Sequence, residues 1–260
     1  MVFGLFKKTS KASAPSTRLR PMNVEIAPEQ SFYAVGDLHG CFAEMCDALD
    51  RIEADKSAQG IEDAPVVFLG DYVDRGEYSA DVLRKAYELN SLDPDTYVFL
   101  KGNHEQMMLD FIARPDDAGR RWLRYGGLQT LASFGVGRLG QSPSKERMYE
   151  ACEELLDAMP DGMEAWLQAL PLHWSSGNMH CVHAAMEPAL PVTVQSQSVL
   201  LWGCPEFEKE TRTDGNWIIH GHTIVDQPLV ENGRISLDTG CYFSGNLTAA
   251  RISKEGARVL

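Results

Sequence analysis

Five apolar runs in this chain end on residues that can hold a metal ion, and this repeated ending constrains the fold more than any other feature. Ser31 to Val35 runs into Gly36-Asp37-Leu38-His39-Gly40, Val66 to Leu69 into Gly70-Asp71-Tyr72-Val73-Asp74-Arg75-Gly76, and Tyr97 to Leu100 towards Gly102-Asn103-His104-Glu105. Downstream, Cys181-Val182 ends at His183, and Trp217 to Ile219 ends at His220-Gly221-His222-Thr223. Short apolar runs bounded by glycine read as strands buried on both faces. Helix-like stretches, Phe42 to Ala54 and Ser79 to Leu89, separate the first three runs, so this half reads βαβαβ with a parallel sheet, an α/β class. Ligands gather outside the carboxyl ends of strands in such sheets, so the five clusters are expected to meet on one edge.

The remaining chain is organised around that pattern. Residues 105 to about 170 read as a helical insertion, with Met107 to Ile112, a turn at Gly126-Gly127, and Ser144 to Leu170 broken at Pro160. Short strands return at Ile235 to Asp238, Leu247 to Ile252 and Arg258 to Leu260. No second domain boundary appears, and a single domain is expected over residues 23–260. Residues 1–22 hold Lys7, Lys8, Lys11, Arg18 and Arg20 without an acid, and read as a basic flexible tail.

Composition excludes several classes of function. The chain has 260 residues, 44% of them hydrophobic and 23% charged, which is enough apolar material for a core and too much for a disordered chain. A formal charge of -13 argues against a surface that neutralises nucleic-acid phosphates. No apolar run is long enough to span a bilayer. Six cysteines form no Cys-x-x-Cys pair, so reduced thiols in a cytoplasm are expected.

The donors delivered to the sheet edge are carboxylates from Asp37 and Asp71, imidazoles from His39, His183 and His222, and the amide oxygen of Asn103. Mixed oxygen and nitrogen donors suit manganese, iron or zinc better than calcium. Six groups are too many for one ion with open positions, but they divide between two ions about 3.5–4 Å apart if Asp71 bridges. Two divalent cations against two carboxylates and a bridging hydroxide leave a positive site that attracts phosphate. A Gly-Asp after a strand is ordinarily a turn, and a single strand-end histidine is ordinarily structural. Five compatible endings together are not explained that way.

The blocks GDLHG (36–40), GDYVDRG (70–76), GNHE (102–105), the later His183 and HGHT (220–223), with the LDTG turn at 237–240, resemble the calcineurin-like metallophosphoesterases. Within them the chain resembles the bacterial branch of the phosphoprotein (Ser/Thr) phosphatases. The resemblance implies an αββα sandwich and two divalent ions, manganese favoured over iron or zinc. Asp37 and His39 would hold one ion, Asp71 would bridge, and Asn103, His183 and His222 would hold the other. It further implies that Arg75, Asn103 and His104 meet the substrate, with Arg75 gripping phosphate oxygens, His104 donating a proton and Asp74 orienting His104. The expected reaction is attack of a metal-bridging hydroxide on phosphoserine or phosphothreonine in a protein, or on another phosphate ester. Glu105 is assigned only to local structure.

One departure is visible. The family usually places an arginine after a Leu-Trp segment in the second half, whereas Leu200-Leu201-Trp202 continues into Gly203-Cys204-Pro205. Arg124 and Arg212 are within reach of the mouth on this reading, although helical surface charge explains either. Two other functions compete: hydrolysis of dinucleoside polyphosphates such as diadenosine tetraphosphate, for which Trp122, Tyr125 and Tyr242 would stack on bases, and a non-catalytic scaffold of the same fold. Retention of Asp74, Arg75 and His104 together counts against the scaffold. His173, His180 and His220 read as core or turn histidines, and Met107, Met108, Trp122, Trp166 and Leu167 as helix-packing positions.

Overall fold

A computed structural model describes residues 24–137, 139–140 and 142–260, and the basic tail read over residues 1–22 lies outside the described residues. The strands are β1 (Phe32–Val35), β2 (Val66–Phe68), β3 (Tyr97–Phe99), β4 (His173–Ser176), β5 (Met179–Val182), β6 (Trp217–His220), β7 (Leu229–Glu231), β8 (Arg234–Ser236), β9 (Ala249–Ser253) and β10 (Gly256–Val259). The helices are α1 (Phe42–Gln59), α2 (Ser79–Leu92), α3 (Asn103–Ala113), α4 (Pro115–Trp122), α5 (Leu128–Ser133), α6 (Lys145–Ala158), α7 (Met163–Ala169), α8 (Gln197–Trp202), α9 (Pro205–Lys209) and α10 (Cys241–Ser244). A kinked turn, Leu123–Gly127, joins α4 to α5, with Gly126 at φ 116° outside helical conformation.

These strands form two five-stranded sheets, ordered β10-β9-β1-β2-β3 and β4-β5-β6-β8-β7. β1, β2 and β3 are parallel, as the βαβαβ reading requires, while β9 adds antiparallel to the free side of β1. In the second sheet β5, β6 and β8 are parallel, and β4 and β7 pair antiparallel at the two edges.

Alternation along each strand explains the layering, because successive side chains point to opposite faces. Phe32 and Ala34 of β1, with Val67 of β2, face Met179, Cys181, Trp217, Ile219 and Ile235 across the space between the sheets. Tyr33, Val35, Val66 and Phe68 face the other way, onto α1, α2 and the insertion helices. Ile218, between Trp217 and Ile219, packs outward against Leu200 and Phe207 of α8 and α9. Each such side chain removed from water contributes about 1.5–3 kcal/mol. The result is the αββα sandwich that the resemblance implied, with the central strands β1, β2, β5, β6 and β8 buried throughout.

The helix boundaries follow from local chemistry. α1 offers Met45, Ala48 and Ile52 to the sheet at helical spacing, and it stops where Gly60 takes φ 66°, a left-handed cap that glycine adopts without steric cost. The helical insertion, α3 to α7, lies on the α1–α2 side of the first sheet, where Phe111, Trp122, Met148 and Leu155 join its core.

Candidate dinuclear metal centre

The loops that leave β1 and β2 are tied together by backbone hydrogen bonds. The amides of Leu38 and His39 donate to the Asp71 carbonyl (3.1 and 2.7 Å), Gly40 donates to Tyr72 (2.9 Å), and Gly76 donates to His39 (3.0 Å). His39, Asp71, Asp74 and Arg75 all have positive φ (43°, 54°, 74° and 67°). Such conformations cost non-glycine residues on the order of 1–3 kcal/mol each, so the surroundings must enforce them. Glu105 is one enforcer: its carboxylate accepts from the amides of Asp71 (2.9 Å), Tyr72 (2.7 Å), Val73 (3.2 Å) and Gly102 (2.9 Å).

Asp71 stands at the middle of the donor set. One carboxylate oxygen lies 3.4 Å from His39 Nε2, and the other lies 3.3 Å from His183 Nε2 and accepts from the His104 amide (3.0 Å). Two groups of ligand atoms, each within 4.8 Å of one another, share this residue: His39, Asp71 and His104, and Asp71, His183 and His222. The Asn103 amide oxygen is 2.8 Å from His183 Nε2. His39 and His183 turn their Nδ1 atoms onto the carbonyls of Val73 (2.8 Å) and Leu69 (2.9 Å), which leaves Nε2 of each facing Asp71. Asp37 sits at the edge of this set, accepting from the His222 amide at 3.1–3.2 Å and pairing with Asp238.

The electrostatics fit a pair of cations. Asp37, Asp71, Asp74, Glu105 and Asp238 are each at most 2% exposed. Burial, then Asp238 and Asp71, push the Asp37 carboxyl well above the usual range. Burial also lowers His39 to about 3 and His222 to about 4, so both imidazoles are neutral, the form that ligates. Buried anions without a compensating charge are costly, and neutral imidazole and carboxylate donors converging on a shared aspartate supply the coordination two divalent ions require.

A second constellation stands beside the first. His104 Nδ1 and Asp74 Oδ2 are 2.6 Å apart, and His104 Nε2 is 3.3 Å from the Arg75 guanidinium. Burial opposes a charge on His104, but Asp71 and Asp74 outweigh it and raise its pKa above the ordinary value. Asp74 is held in turn by the insertion, accepting from Trp122 Nε1 (3.0 Å) and Thr130 Oγ1 (2.6 Å). Arg75 stacks on Tyr242 at 4.8 Å, and Tyr242 lies edge-on to His39 at 5.4 Å. A cavity of about 790 Å³ opens next to this pair, lined by Arg75, Arg124, Tyr125 and Tyr242 among others.

Sequence reasoning missed the parts that Trp122 and Thr130 play. Trp122 is fully buried, so the expectation that it stacks on a base is corrected, whereas Tyr125 and Tyr242 are 50% and 37% exposed. Arg124 reaches the cavity; Arg212 does not, being buried and engaged by Asp214 and by the carbonyls of Glu187 (3.0 Å) and Leu190 (2.9 Å). The second-half arginine after Trp202 is absent, and the Arg121 guanidinium lies over the Trp202 ring at 4.5 Å. All six cysteines are free, and those at 41 and 241 meet Glu44 at the start of α1, apart from the histidine-rich groups.

Three comparisons bear on these observations. The bis(5'-nucleosyl)-tetraphosphatase PrpE [asymmetrical] of Oceanobacillus iheyensis is 27% identical over 85% of this chain and 88% of its own length. The protein of the same description from Bacillus velezensis is 28% identical over 85% of this chain and 88% of its own length. Among solved structures, a candidate diadenosine tetraphosphatase superposes with a TM-score of 0.60 at 18% identity, covering 91% of this chain and 97% of its own, a likeness of fold. The expected membership of the Ser/Thr phosphoprotein phosphatase branch is therefore corrected, because relatives aligned along most of the chain are nucleosyl-tetraphosphatases. The motif blocks supply the candidate metal-ligand groups and do not separate the two branches of the family. No helix among the described residues is long and apolar enough to cross a membrane. The calcineurin-like phosphoesterase profile matches residues 31–226, from β1 past the His222 loop, and with candidate metal-ligand groups lying inside that span the chain belongs to the calcineurin-like phosphoesterase family, the metal-dependent phosphoester hydrolases.

Proposed function

We propose that this chain hydrolyses a dinucleoside polyphosphate, cutting diadenosine tetraphosphate asymmetrically into ATP and AMP. The observation that carries the reading is the cavity beside Arg75, walled by the exposed rings of Tyr125 and Tyr242, which suits a nucleoside attached to the reacting phosphate. The two tetraphosphatase relatives support it by their descriptions.

Asp37, His39 and Asp71 would hold one divalent ion, and Asp71, Asn103, His183 and His222 the other, with manganese the proposed metal. Bound there, the pair would supply Lewis acidity that activates water and offsets charge on the phosphoryl oxygens. The chain's own groups do the rest. Arg75, braced on Tyr242, presents its guanidinium fork to the phosphate. Asp74 fixes His104 through Nδ1, which leaves Nε2 to face the leaving group and hand over a proton. Trp122 and Thr130 keep Asp74 from turning away. The free cysteines suit a reducing cytoplasm.

The test is product analysis with manganese-loaded protein. Diadenosine tetraphosphate should yield ATP and AMP in equal amounts. Hydrolysis of an aryl phosphate with the tetraphosphate left intact would overturn the nucleotide reading.

A further inference from the structure

The helical insertion carries two arginines for which the motif blocks have no use. Arg121 is the penultimate residue of α4 and Arg124 lies in the kinked turn; both are exposed, and among the described residues no ion pair joins either to a carboxylate. Elsewhere in the insertion Arg114 pairs with Asp117 (2.8 Å) and Arg147 with Glu154 (2.8 Å). Arg121 is instead stacked on aromatic rings, 4.5 Å over Trp202 and 5.9 Å over Tyr125. Stacking fixes a guanidinium while leaving its edge donors open to an anion.

Their placement follows from the turn. Gly126 takes φ 116°, and a Cβ there would come within 2.5 Å of the Arg75 amide nitrogen and 2.9 Å of the Asp74 Cβ. The kinked turn therefore rests directly on the Asp74–Arg75 backbone. Arg124 and Tyr125, the two residues before Gly126, line the same cavity as Arg75.

We propose that Arg121 and Arg124 form a second anion subsite, beyond Arg75, that binds the non-reacting phosphates of a polyphosphate chain. Trp202, after which the family's arginine is absent, serves as the platform for Arg121. This inference rests on the polyphosphate reading of the site and extends it: the insertion senses chain length through its arginines as well as walling the nucleoside cavity with Tyr125.

The experiment uses the full chain with its metal ions, hydrolysing an aryl phosphate at a fixed free concentration of manganese. Inorganic tripolyphosphate and orthophosphate are the inhibitors. In an Arg121→Gln, Arg124→Gln double variant the preference for tripolyphosphate over orthophosphate should fall at least about tenfold, the scale of one or two lost charge-assisted hydrogen bonds. Arg120→Gln, which removes the same charge from the exposed neighbour on α4, should keep that preference. An unchanged preference in the double variant, or an equal loss for both inhibitors, would overturn the subsite. Parallel assays with diadenosine tetraphosphate separate the two proposals: absent nucleotide turnover with the preference effect intact removes the nucleotide reading and leaves the subsite standing, whereas nucleotide turnover with no preference effect does the reverse.

Discussion

His104 has a different neighbour on each nitrogen, and that asymmetry makes its contribution depend on the leaving group. Asp74 takes Nδ1, and Nε2 looks past Arg75 into the site. Expelling an alkoxide needs a proton, and general acid catalysis is worth about 10²–10⁴ in rate. Expelling a nucleoside phosphate needs it much less, because a phosphate oxygen has a pKa of only about 6. His104→Ala should therefore depress hydrolysis of an alkyl phosphate within that range, and depress hydrolysis of diadenosine tetraphosphate by at least about tenfold less. Equal losses on both substrates would assign His104 to phosphate binding instead. At this scale the sequence is most legible where a residue ends a strand, since Asp37, Asp71 and His183 need only the sheet to bring them together. Trp122 and Thr130 are 48 and 56 residues from Asp74, and no local pattern announces a hydrogen bond that depends on how a helical insertion folds back.

Elements with a strong period were readable, as were the edge strands β3 and β10 of the first sheet, whereas the edge strands of the second sheet were not. β1, β2 and β3 are apolar through and through, whereas β4 reads His-Trp-Ser-Ser and β7 is exposed at every position, so neither carries the alternation that marks a half-buried strand. The kinked turn is visible in sequence only as Gly126-Gly127, yet Gly126 sets its distance from Arg75. Gly126→Ala should cost about 1–3 kcal/mol in urea unfolding, because φ 116° and the Arg75 contact both exclude a side chain, and should lower phosphoesterase activity with it. A wild-type melt and rate in that variant would mean the turn is free of the Asp74–Arg75 loop. At the β4–β5 edge, His173 Nε2 and His180 Nδ1 are 3.0 Å apart, and His180 Nε2 faces Asn216 Oδ1 at 3.1 Å. This run of donors and acceptors needs neutral imidazoles. Burial lowers His173 to about 4 and holds His180 below its ordinary value as well. Both folded-state pKa values lie under the unfolded one, so the pair's contribution is whole above about pH 6.5 and drains away as pH falls towards 4. The melting temperature should drop more steeply over that window in the wild type than in a His173→Gln, His180→Gln double variant, and parallel slopes would refute this account.

Across the whole molecule, the shared aspartate comes from the first sheet and His183 and His222 from the second, so the metal groups sit where the two halves of the sandwich meet. The motif blocks made that meeting legible because a dinuclear centre would dictate its own ligands, while Arg121, Arg124 and Tyr125 of the insertion, the proposed readers of the substrate beyond the phosphate, answer to no such requirement. A site of this kind couples metal to folding, since burial and neighbouring carboxylates disfavour the charges on Asp37, Glu105 and Asp238 until cations enter. Manganese at about a hundred times its dissociation constant should stabilise the fold by about 2.7 kcal/mol per site, a rise in melting temperature of roughly 5–10 °C for one site in a chain of this size. Asp71→Asn separates charge from structure. Its amide keeps an oxygen for the His104 amide but removes one anion from the cluster. The variant should gain nothing on adding manganese, retain less metal and turn over no phosphate ester. If chelation left the wild-type melt unmoved, protons rather than cations would be neutralising these carboxylates, and the centre would lose its claim to hold metal.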